Sequence, residues 1–323
     1  MKKSKISILL LLLVMILSIS AVSAADIDDN SDVAVQAVDE ASIASVDVDE
    51  IASTDNADVL AAAGDGNFTE LQNSVDSSGT VIMSKDYTRV DGENTISISR
   101  DVTILGNNHK IDGNNLGGIF NVNSGYTLTL MGLTLINGNA ENGGAVYNNG
   151  GTLTIVNSYF LNNTATKSGG AIYNDGGSMT VTGSTFDGND LTDRSANGYG
   201  GAAIYSTAGD VLISSSTITN NLKDIVHRGG TGQYTGDLSS AAVTSKSGTL
   251  TVSDSYFGKN SGSYGGAILS QGDDAVLSVV GSTFEDNFAF NGGAIDIISS
   301  KYTISNSTFR GNDAKGTGSS TSN

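Results

Sequence analysis

Few side chains in this 323-residue chain are of the kind that make or break bonds. It has no Cys, two His (His109 and His227) and five Arg (Arg89, Arg100, Arg194, Arg228 and Arg310). The densest ionisable group in sequence is Asp187, Asp190, Asp193 and Arg194. Elimination from an acidic polysaccharide needs an Arg or Lys base beside carboxylates that hold calcium, and glycoside hydrolysis needs paired carboxylates. This run offers the residue types, but its plainer reading is a solvated polar loop. Glu285 and Arg310 each directly follow a repeated Phe, so stacking would make them a cross-strand ion pair. His227 stands among charges with no second His near it for a zinc pair. His109 sits in a Gly-Asn-Asn-His turn. No phosphate loop, dinucleotide fingerprint, nucleophile elbow or calcium-binding nonapeptide occurs. The expectation is no catalytic, cofactor-binding or metal-binding residues and no cofactor.

The elements that would position such groups are written as repeats. The pattern Ser, any residue, Phe or Ile, two residues, Asn occurs six times. It places Phe160 with Asn163, Phe186 with Asn189, Ile218 with Asn221, Phe257 with Asn260, Phe284 with Asn287, and Phe309 with Asn312. Five and seven residues before each Phe or Ile stand large apolar residues, such as Ile155 and Leu153, the alternation of a strand with one buried face. A second motif precedes each strand: Gly143-Gly144-Ala145-Val146-Tyr147, Gly169-Gly170-Ala171-Ile172-Tyr173, and its later copies through Gly292-Gly293-Ala294-Ile295. Tyr147, Tyr173 and Tyr205 recur in this motif, either as semi-buried packing or as faces on which a sugar ring could stack.

A unit of about 26 residues is too short for a propeller blade and lacks a helical period, which leaves one coil of a parallel β-helix. Equivalent residues then stack: Phe inside, and Asn at a corner, its amide bonding neighbouring coils. The β-helix repeat domain is expected over residues 67–312, with room for roughly nine coils from about residue 77. Longer spacings mark insertions near Asp190–Tyr199 and Leu222–Ser240, side loops where binding often sits. Ahead of the array, Asn67 and Glu70 form a capping-box pattern, and Phe68, Leu71 and Val75 share one face of a short helix that would cover the open end of the core.

Outside the array, Lys2, Lys3 and Lys5, the apolar run from Ile6 to Leu17 and Val22-Ser23-Ala24 read as a signal peptide over residues 1–24. Residues 25–66 hold twelve acidic residues and no Lys or Arg, an acidic disordered linker. Residues 313–323 read as a flexible Gly/Ser/Thr tail. No second segment is apolar enough to span a bilayer. The formal charge of −18 argues against nucleic acid or anionic lipid as partner. Sequons stand at Asn67, Asn162 and Asn306.

The alternating Gly-Gly-Ala-Ile and Phe-x-x-Asn motifs resemble the polymorphic membrane protein repeats of chlamydial adhesins. With Ile104–Asn115 and Tyr126–Leu130, they also resemble the adhesin-like surface proteins of methanogenic archaea. The resemblance implies an all-β fold, a right-handed single-stranded parallel β-helix like that of pectate lyase, secreted and displayed at a cell surface. The role expected is non-catalytic adhesion or display through glycans or another cell's surface. A carbohydrate-active enzyme (lyase or hydrolase) and a passive envelope protein are the alternatives. The chain departs from such families in showing no C-terminal anchor or autotransporter barrel.

Overall fold

The computed structural model describes residues 65–192, 200–222 and 241–315. The expected signal peptide, nearly all of the acidic linker, and residues 316–323 lie outside the described residues, as do Asp193, Arg194, His227 and Arg228. Within them the chain is a parallel β-solenoid with one helix at its N-terminal end.

One coil shows the plan. Val146–Asn149, Thr152–Val156, Tyr159–Leu161 and Thr164–Ser168 are four strands in a row, and the next four are Ile172–Asp175, Ser178–Thr182, Thr185–Asp187 and Asp190–Leu191. Each pairs in parallel with its counterpart one coil away. Repetition builds three long sheets. Sheet I has nine strands, from Thr80–Ile82 to Lys301–Ser305; sheet II has nine, from Tyr87–Thr88 to Thr308–Arg310; sheet III has eight, from Ile96–Ile98 to Ile295–Ile298. Two three-stranded sheets complete the wall.

Alternation decides what enters the core. In Thr152–Val156, Leu153 and Ile155 are buried while Thr152 is exposed. Register then aligns like with like: Leu153 with Met179, Ile155 with Val181, Phe160 with Phe186. Each fully buried Leu, Ile or Phe contributes about 1.5–3 kcal/mol of transfer free energy, and an unbroken column of them holds a chain without disulfides together. Phe160 and Phe186 stack at 4.6 Å, Phe257 and Phe284 at 4.9 Å, and Phe284 and Phe309 at 4.8 Å, all with nearly parallel rings.

The corners use left-handed backbone. The residue before every ladder Asn has positive φ: Asn162 at 52°, Gly188 at 66°, Asn220 at 53°, Lys259 at 55°, Asp286 at 53° and Gly311 at 63°. The residue before every ladder Ser does too, as in Asn157 at 47° and Gly183 at 61°. Such positions favour Gly, Asn and Asp, which is why the chain is rich in all three. At the Gly-Gly corners, the second glycine is dictated by closeness. A Cβ on Gly170 would lie 2.1 Å from the Ala202 carbonyl oxygen.

The helix spans Phe68–Ser77 and buries Phe68, Leu71 and Val75 against the first coil. Asn67 Oδ1 accepts from the Glu70 amide at 2.9 Å, but the second half of the expected capping box is corrected. Glu70 turns to Lys85 at 2.6 Å, and it is Glu93, from a loop of the first coil, that accepts from the Phe68 and Thr69 amides at 3.1 and 2.8 Å. Burial pushes the Glu93 carboxyl up, and the amides of Val90, Thr69 and Phe68 outweigh it and hold the group below its usual range. The array also reaches past its expected ends. Gly66 donates to the Asp86 carbonyl at 2.8 Å, and the last strand, Asp313–Ala314, pairs with Phe288 and Ala289 inside what reads as tail.

Candidate functional site

The repeated Asn side chains lie inside the wall, each joining two coils. Asn189 Nδ2 donates to the Phe160 carbonyl and to Asn221 Oδ1, both at 3.0 Å, and its backbone N–H donates to that same Oδ1 at 3.0 Å. The same set recurs from Asn163 to Asn189, Asn221 to Asn260, Asn260 to Asn287 and Asn287 to Asn312. Asn163 to Asn260 are fully buried, Asn287 nearly so, and Asn312 half-buried. A parallel Ser ladder runs beside it, with the Ser158 amide donating to Ser184 Oγ at 3.1 Å and so on to Ser307. These rows satisfy backbone groups at the corners.

A second amide ladder carries no signal in the Phe-x-x-Asn motif. Asn148 Nδ2 donates to Asn174 Oδ1 at 2.6 Å, and Asn174 Nδ2 to Ser206 Oγ at 3.0 Å, all three buried on the inner face of sheet III. The hint was the Asn or Ser following each of Tyr147, Tyr173 and Tyr205.

Those tyrosines point the other way. Strand alternation puts them on the outer face of sheet III, where register lines up Ser97, Asn121, Tyr147, Tyr173, Tyr205 and Thr244. Tyr147 and Tyr173 have ring centroids 5.2 Å apart; Tyr173 and Tyr205 are 5.3 Å apart and nearly parallel. Tyr147 and Tyr173 are half-buried, and Tyr205 is buried. Tyr147 donates its hydroxyl to Asp175 at 3.1 Å, and Thr207 anchors the other Asp175 oxygen at 2.9 Å. Burial, then the Asp175 charge, raises the Tyr147 pKa, so the hydroxyl stays protonated as a donor.

At the Tyr147 end the row opens into a groove of about 400 Å³. Thr95, Asn121, Glu141, Asn142 and the Gly143 corner line it with Tyr147. Lys167 pairs with Glu141 at 2.6 Å on its rim. An aromatic ring beside amides, a hydroxyl and a carboxylate is a surface that can stack and hydrogen-bond a polyhydroxylated ligand. Sequence reading found Tyr147 but not Thr95, Asn121, Glu141 or Asn142, because these come from two neighbouring coils and the first three do not recur at equivalent positions.

The ionisable candidates are placed as follows. Asp187 Oδ1 accepts from Thr219 at 2.8 Å and Asn220 at 2.6 Å; the Asp193 and Arg194 with which it was grouped lie outside the described residues. Asp190 lies in a short strand on the next sheet. Glu285 and Arg310 form a two-armed pair, Nε and Nη2 each 2.8 Å from a carboxylate oxygen, and Tyr256 donates to Glu285 at 3.0 Å. The Arg310 and Tyr256 hydrogen bonds hold the Glu285 carboxyl below its usual range. His109 meets Asp86 at 2.9 Å within a turn closed by its amide on the Gly106 carbonyl. Among the described residues no three His, Asp or Glu side chains gather as a metal-binding group. Of the sequons, Asn162 and Asn306 are exposed, while Asn67 is half-buried as the helix cap.

Residues 157–175 match the Chlamydia polymorphic membrane protein repeat. The matched stretch runs from the Asn157 corner through Phe160 and Asn163 to the Gly169-Gly170 corner and Tyr173, so this chain carries repeats of that type wound as a parallel solenoid. No curated protein and no solved structure matches the chain. Among the described residues no helix is long and apolar enough to cross a membrane.

Proposed function

We propose that this is a secreted, surface-displayed, adhesin-like protein that acts without catalysis, holding glycans of a cell surface on the outer face of sheet III. The observation that carries the reading is the stacked row Tyr147, Tyr173 and Tyr205 beside a polar groove. Three features support it further. The matched repeat is, by its name, that of a membrane protein. Core and corners are fully committed to packing, which makes a rigid support. The two longer repeat spacings of the sequence follow Leu191 and Leu222, close to the tyrosine row in sequence.

The test is a glycan array probed with the full chain, with and without calcium, and with analysis of the glycans for new reducing ends or unsaturated products. Saturable binding without products is expected. Tyr173→Ala should weaken it about ten-fold, equivalent to about 1.4 kcal/mol, with the variant shown to be folded at the assay temperature. Product formation would refute the non-catalytic reading and favour a carbohydrate-active enzyme. Absence of binding would leave the passive envelope role.

A further inference from the structure

Among the described residues most cations have an evident partner or stand in water. Lys85, Lys110, Lys167, Arg310 and Lys315 each pair with a carboxylate. Arg89 and Arg100 are held by main-chain carbonyls, and Lys259 and Lys301 are exposed. Lys246 fits neither description. It is half-buried, and among the described residues its ammonium meets an amide rather than a carboxylate. Burial pushes its pKa down, with no neighbouring charge acting against the shift. A desolvated cation without a counter-charge is unfavourable, and an anion that reached it would offset that penalty.

The fold puts this ammonium on the tyrosine face. Lys246 stands one residue past the strand Val243–Ser245, and its amide donates to the Ser206 carbonyl at 3.0 Å, as the Thr207 amide donates to the Asn174 carbonyl at 2.9 Å. Register therefore stacks Asp175, Thr207, Lys246 and Gln271 in one column. Alternation turns that column outward, two residues along the strands from the column of Tyr147, Tyr173 and Tyr205. Lys246 Nζ donates to Gln271 Oε1. Two ammonium hydrogens and both hydrogens of Gln271 Nε2 remain without an acceptor among the described residues. A carboxylate, with two acceptor oxygens and a negative charge, matches that set.

We infer that Lys246 and Gln271 bind the carboxylate of an acidic sugar, in a glycan of which another ring stacks on the tyrosine row. The inference rests on the glycan-binding reading of this face and narrows it to glycans that carry a uronic or sialic acid. Lys246 lies two coils from Tyr173, about 10 Å along the axis, so the acid and the stacked ring belong to different sugars of one chain. The formal charge of −18 does not oppose the contact at close range. At physiological salt the Debye length is about 8 Å, and more distant carboxylates are screened. Within the column the carboxylate is Asp175, two coils away, its oxygens held by Tyr147 and Thr207.

The experiment uses an array on which each sialylated or uronate-bearing glycan stands beside its neutral parent. It is probed at about 0.15 M salt with the full chain and with Lys246→Gln, Lys246→Arg and Lys301→Gln, each checked for an unchanged melting temperature. The wild type is expected to bind acidic members at least ten-fold more tightly than their parents. Lys246→Gln should erase that preference while the neutral glycans are still bound. Lys246→Arg should keep it, and Lys301→Gln, which removes an exposed charge elsewhere, should leave it unchanged. Equal binding of acidic and neutral glycans would overturn the inference and leave the glycan reading standing, as would a preference that survives Lys246→Gln or is lost equally in Lys301→Gln. Binding of no glycan would overturn both.

Discussion

Asn221→Ala tests whether the buried Asn ladder holds the coils together. The Asn221 side chain takes part in four hydrogen bonds. It donates to the Phe186 carbonyl at 3.1 Å and to Asn260 Oδ1 at 2.9 Å, and accepts from the Asn189 amide and Asn189 Nδ2, both at 3.0 Å. Truncation leaves Asn260 Oδ1 its bond from the Asn221 backbone, at 3.1 Å. The two Asn189 donors lose their acceptor outright, in a site with no solvent exposure. An orphaned buried polar group costs about 1–3 kcal/mol, so the loss should be about 2–6 kcal/mol. Urea unfolding followed by circular dichroism measures it. Two comparisons sharpen the test. Asn312→Ala removes the same acceptor oxygen from two Asn287 donors at the half-buried end, where water can replace it, and should lose less than half as much. Asn221→Asp keeps the shape but sets an oxygen against the Phe186 carbonyl and Asn260 Oδ1. Burial without a cation raises that carboxyl's folded pKa above its unfolded value near ~3.9. A raised acid is least harmful below the unfolded pKa, and its protein loses stability as pH rises through the folded one. The Asp variant should therefore be nearer wild type at pH 4 than at pH 7. A loss below about 1 kcal/mol for Asn221→Ala, equal to that of Asn312→Ala, would refute the argument that the ladder's value lies in burial.

Three further outcomes are expected. Phe186→Ala should lose about 3–5 kcal/mol, because it opens a cavity in a ring column stacked at 4.6 Å, while Phe309→Ala at the exposed end should lose under about 1.5 kcal/mol; thermal melts compare the two. Lys259 occupies a corner with φ of 55°, so Lys259→Gly should hold stability level or raise it by up to about 1 kcal/mol in urea titrations. Asp86 is pushed up by burial, but the Lys110 amide and His109 prevail and keep its folded pKa low. A lowered acid stabilises above its unfolded pKa and loses that contribution as pH falls through the folded one. Asp86→Asn should thus lower stability at neutral pH and flatten the acid limb below about pH 4, read from melting temperature against pH.

How much of this was legible depended on repetition. Phe160 and Asn163 recur in phase, and each copy independently demands the same burial and the same partner, so a stacked coil follows from the sequence alone. Asn148 and Asn174 do the same work on sheet III, yet the column continues as Ser206, Ser245 and Ser270, and a ladder that changes residue type leaves no pattern to count. Glu93 was unreadable as the helix cap for another reason. It lies 24 residues from Thr69, and only the closure of the first coil brings it there, whereas Glu70 stands at the spacing that local rules favour. The groove beside Tyr147 is the extreme case. Thr95 comes from one coil and Asn121 and Glu141 from the first and last strands of the next, and none repeats at its equivalent position, so periodicity is silent where the surface becomes individual.

That division follows from the geometry of a solenoid. A core position is constrained by the coils on both sides, so Phe, Asn and Ser are kept in column, and one slipped register would bury an outward residue in place of Phe. An outer position such as Asn121 or Tyr147 is only half-buried and is free to vary. The Asn ladder begins where the rule first has force. At Gly138, the equivalent position one coil earlier, the amide donates to Asn163 Oδ1 at 2.9 Å, but a Cβ would lie 2.0 Å from the Gly144 carbonyl oxygen, so no side chain fits. From there to Asn287 every ladder Asn backbone amide donates to the Oδ1 of the next coil, while each Nδ2 bonds the coils on both sides. Hydrogen bonds aligned in a chain polarise one another, so each added coil strengthens those before it. The core columns thus repeat from coil to coil while the outer side varies.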